Sequence, residues 1–457
     1  MSLSNSIQQL KLQEVESDKR VLESPKYTCA LGGALSVITN IYRAIPIINS
    51  GIGCGMNQMM RFRRGGGHQG VGYIGGLSVP STNLSERDIV FGGETRLREE
   101  IRSTIDLIDG DFYFVANGCI AGMIGDDVEG IVSEFSDEPT PVLYVNSSGF
   151  MGNTYFGYEA VFEAAINQLI EPLPKEKRLV NILGFVPYQD IFWRGNLREI
   201  RRLLNKIGLR TNQVIGDFSG LEGLKKLSAA EYTIVVSPWV GRKTAKLLKE
   251  KFDIPYINFP NIPVGPRDSS EFLRIVGEKL GISKSKIEDA IAEEEREAYE
   301  DLNIIGDTCT RFVAALPFAI VSGSAMAVGI TRFLTNEVSC TPKLVIVNDD
   351  PPADTREKIL ERLRNLGDES TVAKTGGISP KVIFEIDSYK IHQYLRDTYF
   401  RVLFASSQER YEAESKKQIH LSVTFPAGNR VVIRDTYTGY GGGISLIEDF
   451  LSKFVRP

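Results

Sequence analysis

Cysteine and histidine are scarce in this 457-residue chain, with five of the first and three of the second. No two cysteines are spaced C-x-x-C, which excludes the local zinc and ferredoxin signatures, and the odd, sparse count offers no disulfide framework. That fits a reducing compartment. No run of about eighteen apolar residues occurs, so no membrane span is expected. Met1 to Lys26 is polar and charged and lacks the apolar stretch of a secretory signal. The expected location is the cytoplasm. A net charge of −5 gives no electrostatic case for nucleic acid and argues against adsorption to a membrane.

A phosphate loop is also missing. The glycine-rich stretch Arg64-Gly65-Gly66-Gly67-His68-Gln69-Gly70-Val71-Gly72-Tyr73 has neither G-x-x-x-x-G-K-S/T nor a G-x-G-x-x-G set between a strand and a helix. ATP, if involved, belongs to a partner. His68 in this stretch reads as a surface residue of a flexible loop rather than a ligand. His392 and His420 lie in helix-like and strand-like contexts and carry no assigned role.

What is present is an alternation of apolar runs with amphipathic helices. Phe112 to Ala116 and Val142 to Val145, the latter entered through Pro141, read as buried strands, and Asp126 to Val132 as the start of a helix. Asp126 and Asp127 are read as helix-start residues rather than catalytic acids. A second unit opens at Leu179 to Phe185, with a helix over 196–207 and a strand over 232–236. A third opens at Phe318 to Gly323, with a strand over 343–347 and a helix over 356–366. Such alternation predicts an α/β fold of three doubly wound, Rossmann-like domains with mainly parallel sheets, and three units account for the length. The expected division is a polar N-terminal arm at 1–25, a first α/β domain at 26–175, a second at 176–312, a third at 313–436 and a C-terminal helical segment at 437–457.

Three of the cysteines stand in small-residue, apolar settings in the first third of the chain. They are Cys29 before Ala30-Leu31-Gly32-Gly33, Cys54 within Gly51-Ile52-Gly53-Cys54-Gly55, and Cys119 within Asn117-Gly118-Cys119-Ile120-Ala121. A free cysteine is commonly a small buried hydrophobe, and Cys309 and Cys340, each in a Thr-containing segment, keep that reading. Thiolates are also the preferred ligands of iron-sulfur clusters, and neighbouring glycines let backbone approach the inorganic core. Three loops bearing one cysteine each point to one cluster. With three thiolates on the chain, the remaining ligation falls to a partner subunit, an oxygen ligand or shared sulfide, which implies an interface.

The sequence around these cysteines resembles the component 1 family of nitrogenases and nitrogenase-like reductases. The resemblance is carried by Cys29 to Gly33, by Pro46-Ile47-Ile48-Asn49-Ser50-Gly51-Ile52-Gly53-Cys54, by Pro80 to Glu86 running into Val90-Phe91-Gly92-Gly93, and by Gly118 to Asp127, and it continues past residue 440. Leu421 to Pro426, the Gly439-Tyr440-Gly441-Gly442 turn, Trp239, Ile254-Pro255-Tyr256 and Pro263 to Pro266 look like the β-type subunit. A cofactor-ligating histidine of the α type is absent near Thr424-Phe425-Pro426.

The resemblance implies that Cys29, Cys54 and Cys119 bind a cluster shared with a homologous α-type subunit, either P-cluster-like (8Fe-7S) or 4Fe-4S. It further implies an α2β2 heterotetramer and transient docking of a separate ATP-dependent iron-sulfur reductase. In that setting the chain relays electrons to an active site in the α-type subunit; the alternative is a scaffold for metal-cofactor assembly. Gly149, followed by Phe150-Met151-Gly152, stands where nitrogenase β subunits carry an oxygen-bearing serine, and Ala30-Leu31 replaces the Gln-Pro that usually follows the first cysteine. These departures favour a nitrogenase-like relative over nitrogenase itself, with carbon-sulfur cleavage, tetrapyrrole reduction and cofactor assembly all open.

Overall fold

The computed structural model describes residues 23–70, 79–364, 366–367 and 377–454. Most of the expected N-terminal arm and the end of the glycine-rich stretch therefore lie outside the described residues. Among the described residues twelve strands form three sheets, and every pairing between these strands is parallel. The first sheet has the order β1 (Ala44–Asn49), β2 (Phe112–Asn117), β3 (Val142–Val145). The second contains β4 (Glu176–Leu183), β5 (Arg210–Asn212), β6 (Ala230–Val236) and β7 (Tyr256–Phe259), in the order β5-β4-β6-β7. The third contains β8 (Pro317–Ser322), β9 (Thr341–Val347), β10 (Lys381–Phe384), β11 (Val402–Ala405) and β12 (Ile419–Ser422), in the order β10-β9-β8-β11-β12.

Parallel strands covered on both faces read as unbroken apolar runs, and β2 shows why: all of its residues are buried. Phe112 and Phe114 pack into the main core while Tyr113 and Val115 pack into a cluster on the other face of the sheet. Each large apolar side chain so buried contributes roughly 1.5–3 kcal/mol.

The helices of the first unit that matter below are α1 (Ala30–Ile38), α2 (Ile52–Gly65), α3 (Glu86–Phe91), α4 (Glu94–Leu107), α5 (Cys119–Ile124), α6 (Val128–Ser133) and α7 (Thr154–Gln168). Ser85 and Asp88 form a capping box at α3, and Asn153 accepts from the Tyr155 and Phe156 amides at the start of α7. Such caps are worth about 1 kcal/mol each. Asp127 caps α6 by accepting from the Gly130 amide at 2.9 Å, and Asp126 accepts from the Gly93 amide at 3.1 Å. Asp127 is thus a helix-start residue, as its sequence context predicts, whereas Asp126 braces the Gly93 turn that opens α4.

Helices α1 and α7 cross in contact. A β-carbon on Gly33 would stand 2.0 Å from the Thr154 carbonyl oxygen, and one on Gly157 would stand 2.0 Å from the Ala30 oxygen. Two glycines thus let the backbones touch. Among the described residues, no helix is long and apolar enough to cross a membrane.

Candidate functional site

Turns at the carboxyl edge of the first sheet carry two of the three candidate cysteines. Beyond β1, Ser50 and Gly51 lead into the first turn of α2, which holds Cys54. Beyond β2, Gly118 caps α5 and Cys119 is its first residue. Beyond β3, the buried hydroxyls of Ser147 and Ser148 donate to the Asn117 and Gly118 carbonyls, at 3.0 and 3.1 Å, so the turn that reaches Gly149 is tied to the one that carries Cys119.

Cys29 caps α1 and joins this group from outside the sheet. An antiparallel bridge to Asn153 holds it, together with a bond from the Ala30 amide to the Gly152 oxygen at 2.9 Å. The Thr28 amide donates to Thr154 Oγ1 at 2.7 Å. Just upstream, the buried Lys26 ammonium pairs with the buried Glu409 carboxylate, and Gln189 Nε2 donates to the Lys26 carbonyl at 2.8 Å. Arg61 of α2 donates to the Pro25 oxygen at 3.2 Å.

The thiols converge. The β-carbon position of Gly149 lies 2.8 Å from Cys119 Sγ and 3.4 Å from Cys29 Sγ, so both sulfurs flank one bare α-carbon. Burial pushes the Cys29 thiol up; the Gly32 amide counters this, and Cys119 and Cys54 add to the upward push. Cys29 therefore feels both of the other thiols. Gln58 Nε2 donates to Cys29 Sγ at 3.5 Å and Ser50 Oγ to Cys54 Sγ at 3.7 Å, while Gln58 Oε1 is buried without a partner.

Neither Gln58 nor Ser50 is singled out by the sequence. The signal available for Gln58 is its spacing, four residues after Cys54 on a helix, which puts it on the same face. All three cysteines are half-buried and free.

Among the described residues no three Cys, His, Asp or Glu side chains are arranged to hold a single metal ion. A mononuclear site needs sulfurs within about 4 Å of one another, given metal-sulfur bonds of about 2.3 Å. A polynuclear cluster takes its thiolates on different irons, so its ligands stand further apart. Three half-buried soft donors, two of them beside a glycine that has no side chain, suit the second kind of group.

Around the cysteines the surface is apolar. Ile52 and Met56 on α2, Val90 and Phe91 on α3, Met123 on α5 and Phe150 beside Gly149 are all exposed, Phe91 to 82%. Those on α2, α5 and beside Gly149 share the elements and turns around the thiols, and α3 packs against α5, which brings Val90 and Phe91 to the same rim. A concentration of exposed apolar side chains of this kind marks an interaction surface.

The other candidates fall elsewhere. Cys309 lies in the helix Gly306–Phe312 and Cys340 is buried at the entry to β9, where its Sγ points to the Val313 oxygen at 3.7 Å. His68 is exposed, as expected, but its Nε2 is fastened to the Gly428 carbonyl oxygen at 2.7 Å. His392 sits on the helix Ser388–Asp397 against Glu412, and His420 lies in β12.

Comparison with known proteins gives one consistent picture. The chain matches the family described as nitrogenase component 1 type oxidoreductase over residues 29–454. It is 24% identical to the nitrogenase iron-iron protein beta chain of Rhodobacter capsulatus, covering 93% of this chain and 92% of the relative. It is 21% identical to the nitrogenase molybdenum-iron protein beta chain of Clostridium pasteurianum, covering 96% and 94%. A shorter match, 30% identical over 44% of this chain and 36% of the relative, links it to the iron-molybdenum cofactor biosynthesis protein NifE of Bradyrhizobium diazoefficiens. The fold is that of the solved nitrogenase Cp1 at pH 6.5, with a TM-score of 0.77, 20% identity and 96% of each chain covered. Parallel three-sheet architecture, family match and full-length likeness to beta chains agree: the chain belongs to the nitrogenase component 1 type oxidoreductases, as a β-type subunit.

Proposed function

We propose that Cys29, Cys54 and Cys119 hold one iron-sulfur cluster at the face this chain turns toward an α-type partner, and that the chain relays electrons through that face. The observation that carries this is the placement of the Cys29 and Cys119 sulfurs on either side of Gly149, with Cys54 in electrostatic contact with Cys29. When bound, such a cluster supplies one-electron transfer at a potential set by burial and by hydrogen bonds to sulfur.

The chain's own contribution is binding and shielding. The three cysteines bind; Gln58 and Ser50 donate toward sulfur and bias its charge; Gly149 leaves room between two of the ligands. The apolar rim excludes water once a partner covers it and lowers the local dielectric around the thiolates. The partner in this reading is a homologous α-type subunit in an α2β2 assembly, carrying the substrate site, and electrons arrive from a transiently bound ATP-dependent iron-sulfur reductase. Nitrogenase beta-chain relatives of full length support that reading.

A second reading, a scaffold on which a metal cofactor is assembled, is favoured by the likeness to NifE over the matched segment. The two readings part on turnover. The test of the first is anaerobic purification of wild type and Cys54→Ala with whatever subunit copurifies. Loss of iron and weaker co-elution in the variant, together with reductase- and ATP-dependent turnover by the wild-type assembly, support the relay. Full iron content in Cys54→Ala removes it, and a metal-loaded assembly without turnover under reductase and ATP favours the scaffold.

A further inference from the structure

The second and third sheets turn their carboxyl edges toward a common cleft. Gly184 follows β4, Ser237 follows β6, Gly323 follows β8 and Val423 follows β12, and all four line it together with Asp349 beyond β9. In the second sheet β4 and β6 are neighbours with β5 on the far side of β4, and in the third β8 lies between β9 and β11. Both are points where the strand order reverses direction, the place at which open parallel sheets bind ligands. The cavity there is about 60 Å³, room for roughly four water-sized atoms.

Asp349 is the feature that a packing role does not account for. Its side chain is 3% exposed, and its Oδ2 accepts from Ser324 Oγ at 2.6 Å and from Trp239 Nε1 at 3.0 Å. Oδ1 of the same carboxyl group is buried and, among the described residues, makes no hydrogen bond of good geometry, although the Ser324 and Asp349 amides lie close to the carboxyl group. A buried acceptor left unsatisfied carries its full desolvation cost, which a ligand donor would offset.

The walls say what kind of donor. The cleft is lined by two carboxyl groups, Asp190 and Asp349, and by no lysine, arginine or histidine. Val186, Val240, Ile262 and Met326 supply an apolar side. Burial pushes both carboxyl groups toward the neutral form, and a cation is the partner that would hold them ionised; the free acceptor takes a donor such as N–H, the apolar wall suits a methyl or methylene group, and the volume limits the whole to a few non-hydrogen atoms.

We propose that this cleft binds a small organic ammonium ion, with Asp349 Oδ1 accepting from its nitrogen. The site is separate from the three cysteines, and the proposal stands without the cluster assignment. It is joined to them structurally through Tyr155, two residues beyond the Asn153 bridge to Cys29, whose ring meets that of Trp239 edge-on at 4.9 Å. A ligand this small binds in the millimolar range at best.

Methylammonium is the probe, followed by saturation-transfer NMR on the full-length chain in the assembly in which it purifies. Saturable transfer to the methyl protons in the millimolar range, not displaced by a tenfold excess of potassium, is expected. Asp349→Asn should weaken it at least tenfold, and Ala325→Leu, which fills the cleft from its rim, should abolish it even if Asp349→Asn fails to fold. Absence of saturable transfer in wild type, displacement by potassium, or transfer unchanged in Ala325→Leu overturns the proposal.

Discussion

Gly149 presents a bare α-carbon to Cys119, and a β-carbon added there would stand 2.8 Å from the sulfur. The backbone at Gly149 is not left-handed, so a side chain at this position is opposed by the sulfurs rather than by its own conformation. Gly149→Ala should displace one or both thiols, destabilise the chain by about 1–3 kcal/mol and lower the iron retained after anaerobic purification. Iron and sulfide per chain, read beside the melting temperature, check this. Full iron at unchanged stability would show that the sulfurs do not need the space.

Cys309 and Cys340 supply the control. Burial raises both thiols, and neither lies near the three-cysteine site. Cys340→Ala should cost about 1–2 kcal/mol because its side chain is fully packed, and Cys309→Ala less, since it is half-buried. Iron content should match wild type in both variants. A fall in iron without unfolding would place a metal ligand outside the first unit.

Phe91 stands out on the apolar rim because it is mostly solvent-exposed in the isolated chain. Phe91→Asp should therefore leave the chain's own stability within about 0.5 kcal/mol. If the rim is covered by a partner, the same change should weaken association by about 2 kcal/mol or more. Sedimentation or mass photometry of the copurified assembly separates the two effects. Equal affinity in variant and wild type would move the interface elsewhere.

Burial pushes the Glu337 carboxyl up to about 8, while the Arg267 backbone amide pulls the other way. The folded state thus holds this proton where the unfolded chain releases it, so the stability linked to it is complete below about pH 4.5 and is lost as pH rises toward 8. Glu337→Gln keeps the neutral form at every pH. Its stability relative to wild type should therefore increase from pH 5 to pH 9, by about 2–4 kcal/mol. Denaturant titrations at pH 5, 7 and 9 test the sign, and a difference that does not change with pH refutes it.

The strands were legible because burial on both faces leaves an unbroken apolar run, as at Phe112 to Ala116 and Val142 to Val145. Helix ends were less so. The helix expected over 356–366 spans Ala353–Leu363, because Pro352 sets its start and Arg364 is already extended. Ala353, Asp354 and Thr355 carry no apolar period that would have announced the first turn.

The cysteines were visible through residue type and neighbouring glycines, whereas Gln58 and Ser50 become visible only when α2 is docked beside Cys29 and the β1 turn. Likewise the glycine-rich stretch reads as a loop, yet α2 runs through Gly65, and the residue that fastens His68 lies 360 positions away. Nothing local encodes such a contact.

The buried pair Lys26 and Glu409 joins residues 383 positions apart, three residues before the first cysteine on one side and in the turn after β11 on the other. The approach to Cys29 is therefore fastened twice, Lys26 by a residue beyond β11 and Cys29 itself by Asn153 and Gly152 of its own unit. The three cysteines are thus brought together by residues 29–153 alone, and what waits for Glu409 is the course of the chain just before them.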